Sequence, residues 1–178
     1  NNFNLVFSNS LKLEEYNYSL DGVIEKGKII FNNVYKTQFL KNDIKALNLK
    51  KTKVKFTLDN KKNILELEGN YVLNDKKDFE SFKVKNEFKK GKTNLNINLN
   101  LKEHFSIDFI NYSKSSNKIG KINADITFVE NEIDINNIEY SEGKNLISLN
   151  KFNLNKKNQI KRFKNIKVKT FNEDKQNN

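Results

Sequence analysis

Apolar and polar residues alternate one for one along Thr93–Phe109, TNLNINLNLKEHFSIDF, where Asn94, Asn96, Asn98 and Asn100 separate Leu95, Ile97, Leu99 and Leu101. Lys102–His104 interrupts the alternation, which resumes with Phe105, Ile107 and Phe109. Successive side chains of a strand point to opposite faces. The stretch therefore predicts two antiparallel strands sharing one apolar and one polar face. A helix would spread these leucines around its circumference.

The same period of two runs through most of the chain. Phe3, Leu5 and Phe7 alternate, as do Leu11 and Leu13, and Tyr16, Tyr18 and Leu20 lead to a tight turn expected at Asp21-Gly22. Val23–Phe31 reads as the next strand, with a bulge or bend at Gly27. Tyr35–Leu49 reads two ways. Leu40, Ile44 and Leu47 have helical spacing behind a capping Thr37, but an irregular strand fits equally. Val54, Phe56 and Leu58 then alternate up to a turn at Asp59–Lys62, and Leu65, Leu67, Tyr71 and Leu73 follow up to Asn74-Asp75. Phe82, Val84 and Phe88 make a strand ending at Lys90-Gly91, with Asn86 as an inward-facing exception.

Asn111–Lys118 reads as a polar loop. A long strand over Lys118–Val129 carries Ile122, Ala124, Ile126 and Phe128, and Glu130-Asn131 turns it into Ile133, Ile135, Ile138 and Tyr140. After Ser141–Lys144 come Leu146–Leu154, a turn at Asn155–Asn158, and one last strand with Ile160, Phe163, Ile166 and Val168. Turn signals recurring at roughly eight to sixteen residues without a Pro/Gly/Ser linker predict one all-β unit. The expected architecture is an elongated antiparallel meander of long hairpins over residues 1–171, forming a curved sheet or groove with an apolar concave face. Residues 172–178 are expected to be a disordered tail.

One apolar face must be covered by something: a second sheet, barrel closure, or a ligand. If acyl chains fill a trough, each buried methylene contributes about 0.8 kcal/mol without any polar contact. The groove face comprises Val54, Phe56, Leu58, Leu65, Leu67, Leu95, Ile97, Leu99, Leu101, Phe105, Ile107, Phe109, Ile122, Ala124, Ile126, Phe128, Ile133, Ile135, Ile138, Ile166 and Val168. The rival expectation is a closed β-sandwich that binds a protein or acidic polymer through a lysine-rich face. A membrane barrel ranks third, because lysine is too dense along the polar positions for a lumen.

Composition changes this picture little. The chain has 178 residues and a formal net charge of +11, but Arg162 is its one arginine and it has no Pro, Cys, Met or Trp. AT-rich coding accounts for the abundance of Asn, Lys, Ile and Phe. With a single arginine for bidentate contacts, nucleic acid is not expected as a partner. The absence of cysteine removes disulfides, thiol catalysis and zinc fingers. The opening Asn1-Asn2-Phe3, in a chain without methionine, reads as a segment of a longer protein.

Candidate chemistry is sparse. His104, the one histidine, sits beside Glu103 in an expected turn without a nucleophile or oxyanion hole, so no enzyme is expected. Asp75/Asp78, Glu130/Glu132 and Asp43/Glu66 form no metal-ligand constellation, and neither metal nor cofactor is expected. Asn17-Tyr18-Ser19 and Asn111-Tyr112-Ser113 match the glycosylation pattern, as chance allows in an asparagine-rich chain. The basic run Lys156-Lys157, Lys161-Arg162-Phe163-Lys164, Lys167 and Lys169 reads first as the wet side of the last strand. Its second reading is a docking patch for an acidic partner or headgroup.

The run KIGKINADITFVENEIDINNIEYSEGKNLISLNKFNL from Lys118, with the closing IKRFKNIKVKTF, resembles the repeating strand pairs of AsmA-like proteins of the Gram-negative envelope. Gly120–Phe128 stands where those proteins have a G-x-I-x-A-x-I-x-F strand, and Ile133–Tyr140 stands where they have an I-x-I-x-x-I-x-Y strand. The resemblance covers about a third of the chain well and the rest in rhythm. It implies intermembrane phospholipid transport along a β-groove, with phospholipid and envelope proteins as partners. It also implies a periplasmic location, with the parent chain anchored in the inner membrane by a span outside this segment.

Overall fold

The computed structural model describes residues 1–157 and 159–171, so the expected tail at 172–178 lies outside the described residues. The fold is all-β: a curved antiparallel sheet of eleven strands that does not close. In chain order the strands are β1 (Asn2–Phe7), β2 (Leu13–Tyr35), β3 (Ile44–Asp59), β4 (Asn63–Leu73), β5 (Glu80–Lys89) and β6 (Lys92–Leu101). There follow β7 (Phe105–Ile107), β8 (Tyr112–Lys114), β9 (Gly120–Val129), β10 (Glu132–Glu142), β11 (Asn145–Asn155), β12 (Ile160–Arg162) and β13 (Asn165–Lys169). Neighbours in sequence are neighbours in the sheet from β1 to β6. β9 then pairs β6, and β12 and β13 share the outer edge of β11.

Several expectations from the sequence are corrected. Asp21-Gly22 is not a turn: β2 runs through it, with Asp21 opposite Lys55 and Gly22 opposite Val54. Two hydrogen-bonded neighbours on one side outweigh a local turn preference. Of the two readings of Tyr35–Leu49, the helix is absent and the strand holds from Ile44 onward. β2 ends at Tyr35, and β3 already begins at Ile44 because Ala46, Leu47 and Leu49 find partners in β2. Thr37 Oγ1 accepts the Phe39 amide at 3.1 Å, a local turn rather than a helix cap.

Phe105–Phe109 does not pair with Leu95–Leu101. Phe105–Ile107 belongs to a separate two-stranded sheet with β8, and Phe109 stands 81% exposed in the 3-10 turn Asp108–Ile110. On the side of β6 away from β5 the partner is β9, which offers ten residues in register against the three that 105–107 could supply. Asn111–Lys118 is no free polar loop either, since Tyr112 and Lys114 are buried. The single last strand is two: β12 lies opposite Asn153 and Leu154, and β13 opposite Leu146–Asn150.

The bend expected at Gly27 is real and shared with β3. Lys51 takes a left-handed φ of 48°, and the register with β4 shifts between Lys50 and Lys53. One extra residue lets Ile24 and Gly27 approach on the same side, where a Cβ on Gly27 would stand 3.2 Å from Ile24 Cγ2. Across the bulge Gly69 makes room for the backbone: its Cβ would lie 2.6 Å from Thr52 Cα.

Candidate functional site: an uncovered apolar face

Residues directly opposite on paired strands share a face, so the registers join side chains into rows that cross the strands. One row runs Leu20–Phe56–Leu65–Asn86–Leu95–Ile126–Ile135–Phe152. The next runs Gly22–Val54–Leu67–Val84–Ile97–Ala124–Ile138–Leu149–Ile166. Flanking them are Tyr18–Leu58–Asn63–Phe88–Thr93–Phe128–Ile133–Leu154 and Gly69–Phe82–Leu99–Ile122–Tyr140–Ile147–Val168. From β2 to β11 the rows cross eight strands, about 34 Å at the usual strand spacing.

The structure thus brings together Val54, Phe56, Leu58, Leu65, Leu67, Leu95, Ile97, Leu99, Ile122, Ala124, Ile126, Phe128, Ile133, Ile135, Ile138, Ile166 and Val168. Phe128, Ile166 and Val168 are exposed and the others half-buried; of these Leu99 and Ile122 border the cluster made with the small sheet, and the rest have only their neighbours within the large sheet among the described residues. Leu101 lies on the same side of β6 but is buried at its end, Phe105 and Ile107 belong to the small sheet that covers it there, and Phe109 points into solvent. Leu20, Phe82, Val84, Ile147, Leu149, Phe152 and Leu154 complete the rows although the sequence reading of the groove did not include them. In β11 the signal is obscured by Lys151, whose φ of 52° shifts the alternation from Ile147 and Leu149 to Phe152 and Leu154.

The face is closed along one rim only. Leu101 and Tyr140 of the sheet pack with Phe105, Ile107 and Tyr112 of the small β7–β8 sheet, and Leu40, Leu99, Ile110, Ile122 and Ile147 border them. The Ser106 amide donates to the Phe39 carbonyl at 2.9 Å, and the Phe39 and Phe105 rings lie 6.1 Å apart. The β2–β3 connection and the β7–β8 insertion therefore clasp over this rim. Tyr71 spans β5 to donate to the Asn100 carbonyl at 2.7 Å.

Beneath the clasp lies a buried polar network. Tyr112 and Tyr140 hydroxyls are 2.9 Å apart, and Tyr112 donates to Glu142 Oε2 at 3.1 Å. Asn145 Nδ2 donates to the same oxygen at 2.7 Å, and Lys118 Nζ is 3.7 Å from Oε1. Burial pushes the Tyr112 phenol up to about 12, and the Tyr140 phenol is raised as well, by burial and then by its Tyr112 neighbour. Burial also works against the Glu142 carboxylate, but donors from Asn145, Tyr112 and Lys118 outweigh it and hold the group below its ordinary value. Gly120 is required here, because a Cβ would stand 2.6 Å from Tyr140 Cε2. Lys114 donates to the carbonyls of Lys102, Ser115 and Lys118 at 3.2, 3.0 and 2.8 Å, while burial lowers its pKa. Three carbonyl acceptors make it a structural pin of the insertion.

On the opposite face the charges are interleaved. Lys83–Glu68 and Lys85–Glu66 pair at 3.1 and 3.2 Å, and Asn153 donates to Glu132 at 3.0 Å and to Asp134 at 2.6 Å. Exposed pairs of this kind contribute little stability. Asp75 and Asp78 face Lys28 and Lys102 at 3.0 and 2.7 Å, and among the described residues no group of His, Asp and Glu could hold a metal ion. His104 is half-buried. Asn17 lies inside β2 with neighbours on both sides, and Asn111 caps the 3-10 turn in a left-handed conformation.

No family model, no curated protein and no solved structure matches the chain.

Proposed function

We propose that the chain binds phospholipid acyl chains along the apolar rows of its sheet. In this reading it is a segment of an AsmA-like envelope protein that carries phospholipid between membranes. The single observation supporting it is that, among the described residues, the rows continue from β2 to β11 with no protein layer over them away from the clasped rim. A closed sandwich would need a second sheet there, and among the described residues the other sheet has only two short strands.

The dimensions suit the ligand. A bilayer core of about 30 Å is two acyl chains end to end, so rows about 34 Å long accommodate at least one acyl chain lying across the strands. Each methylene brought out of water there contributes about 0.8 kcal/mol. The site needs no catalytic group, and the phospholipid itself is the partner. A periplasmic location, an inner-membrane anchor outside this segment and envelope protein partners belong to the same proposal.

Native mass spectrometry of the purified chain tests it, together with uptake of a fluorescent-acyl phospholipid from detergent micelles. Adducts with phospholipid masses, lost in Ile97→Asp and Ile126→Asp variants that keep their β circular dichroism, are expected. A folded chain that carries no lipid and acquires none from micelles would refute the reading.

A further inference from the structure

We propose that the C-terminal edge of the sheet, formed by β12, β13 and the residues beside them, docks onto the surface of an anionic lipid bilayer. The two long edges differ in kind. β1 at one edge carries no charged residue. At the other, nine lysines and arginines and no acid lie between Gly143 and Phe171; Lys161, Arg162, Lys167 and Lys169 stand in β12 and β13 and Lys164 between them, with Lys161 paired to Glu132 of β10.

The cations are interleaved with apolar side chains that are largely exposed among the described residues. Ile160, Phe163, Ile166, Val168 and Phe171 are 59, 59, 53, 43 and 47% exposed. In β13, Ile166 and Val168 lie opposite Leu149 and Ile147 at the end of the apolar rows, whereas Lys167 lies opposite Ser148 on the other side. One side of the edge thus enters the acyl boundary while long lysine stems reach the phosphate plane. A bilayer with anionic headgroups satisfies both halves at once, because apolar burial and attraction of Lys and Arg to the surface potential add. Nucleic acid would use the cations but leave Ile160, Ile166 and Val168 in water. A single arginine, Arg162, also offers little bidentate grip on phosphate.

This docking does not depend on acyl chains occupying the rows. Failure at the vesicle surface leaves the lipid-adduct experiment untouched, and the converse also holds.

The test is sedimentation of the full chain with phosphatidylcholine vesicles, with and without added phosphatidylglycerol. Binding to the anionic vesicles is expected to exceed that to neutral ones by about tenfold or more and to fall as salt rises. The double variant Lys164→Glu/Lys167→Glu should lose that preference. Phe163→Ser/Ile166→Ser, with unchanged charge, should weaken anionic binding about fivefold or more. Lys83→Glu, on the polar face far from the edge, should change it less than about twofold. Phe171→Ser provides a second apolar variant should the double one fold poorly. Equal binding to both vesicles, or none, overturns the proposal. So does anionic binding that ignores the apolar variants and is competed away by duplex DNA, since the edge would then be a polyanion site.

Discussion

Ile97→Asp separates an open face from a covered one. Ile97 lies between Val84 of β5 and Ala124 of β9 and is half-buried. If solvent reaches its outer side, the new carboxylate stays hydrated and the loss is confined to two cross-strand pairs. At about 0.2–1 kcal/mol each, that amounts to less than about 2 kcal/mol. With a urea m-value of about 2 kcal/mol/M, the unfolding midpoint falls by about 1 M at most. Beneath a packed layer the same carboxylate would be an unpaired buried charge, costing about 3–5 kcal/mol and shifting the midpoint by about 2 M. Leu101→Asp is the internal standard, because Leu101 is 5% exposed within the rim cluster and must show the larger loss. Urea titrations of both variants, followed by circular dichroism, make the comparison. Equal shifts would mean that the face is packed against protein in solution, and the acyl-binding reading would fall.

The polar network under the clasp gives two pH expectations. Glu142 is held below its ordinary carboxylate value, so its stabilisation is full above that value and is lost as pH falls through the lower folded one. Acid titrations of the wild type and Glu142→Gln should differ in slope there, and parallel curves would contradict the assignment. Tyr112 is pushed from 10.0 up to about 12, so the stability it contributes is complete below 10.0 and disappears as pH rises towards about 12. In Tyr112→Phe that alkaline loss should shrink, as read by thermal melts across the same window. Gly69→Ala should destabilise by about 1–3 kcal/mol, since its Cβ would meet the Thr52 backbone at 2.6 Å. A further Thr52→Ser change should not rescue it, because the clash includes Cα. Asn86→Leu should raise the urea midpoint, because the Asn86 side-chain oxygen is buried without a partner in an otherwise apolar row.

What could be read from the sequence was the part written in a period of two. Leu95–Leu101, Ile122–Phe128 and Val54–Leu58 fall on one face because alternation alone fixes that, and Asn86 was legible as the inward exception. The misreadings share a cause: the deciding partners lie far away in sequence. Asp21-Gly22 has the composition of a turn, yet the hydrogen bonds of a 23-residue strand with β3 hold it extended. Phe105 and Ile107 continue the rhythm of Leu95–Leu101, so local pattern assigned them to the groove, whereas Tyr112, Tyr140 and Leu40 draw them into a cluster over its rim. Asn111–Lys118 looked solvated because no pattern announces that Lys114 will find three carbonyls. The clasp has a consequence that alternation could not supply. The rows are covered where β6 ends and β9 begins, and uncovered towards the turns at 59–63 and 130–132. An acyl chain on this face therefore lies nearer those turns. Substitutions at Ile126 or Ile135 should then weaken lipid uptake more than the equivalent change at Leu99, although all three belong to the same sheet face.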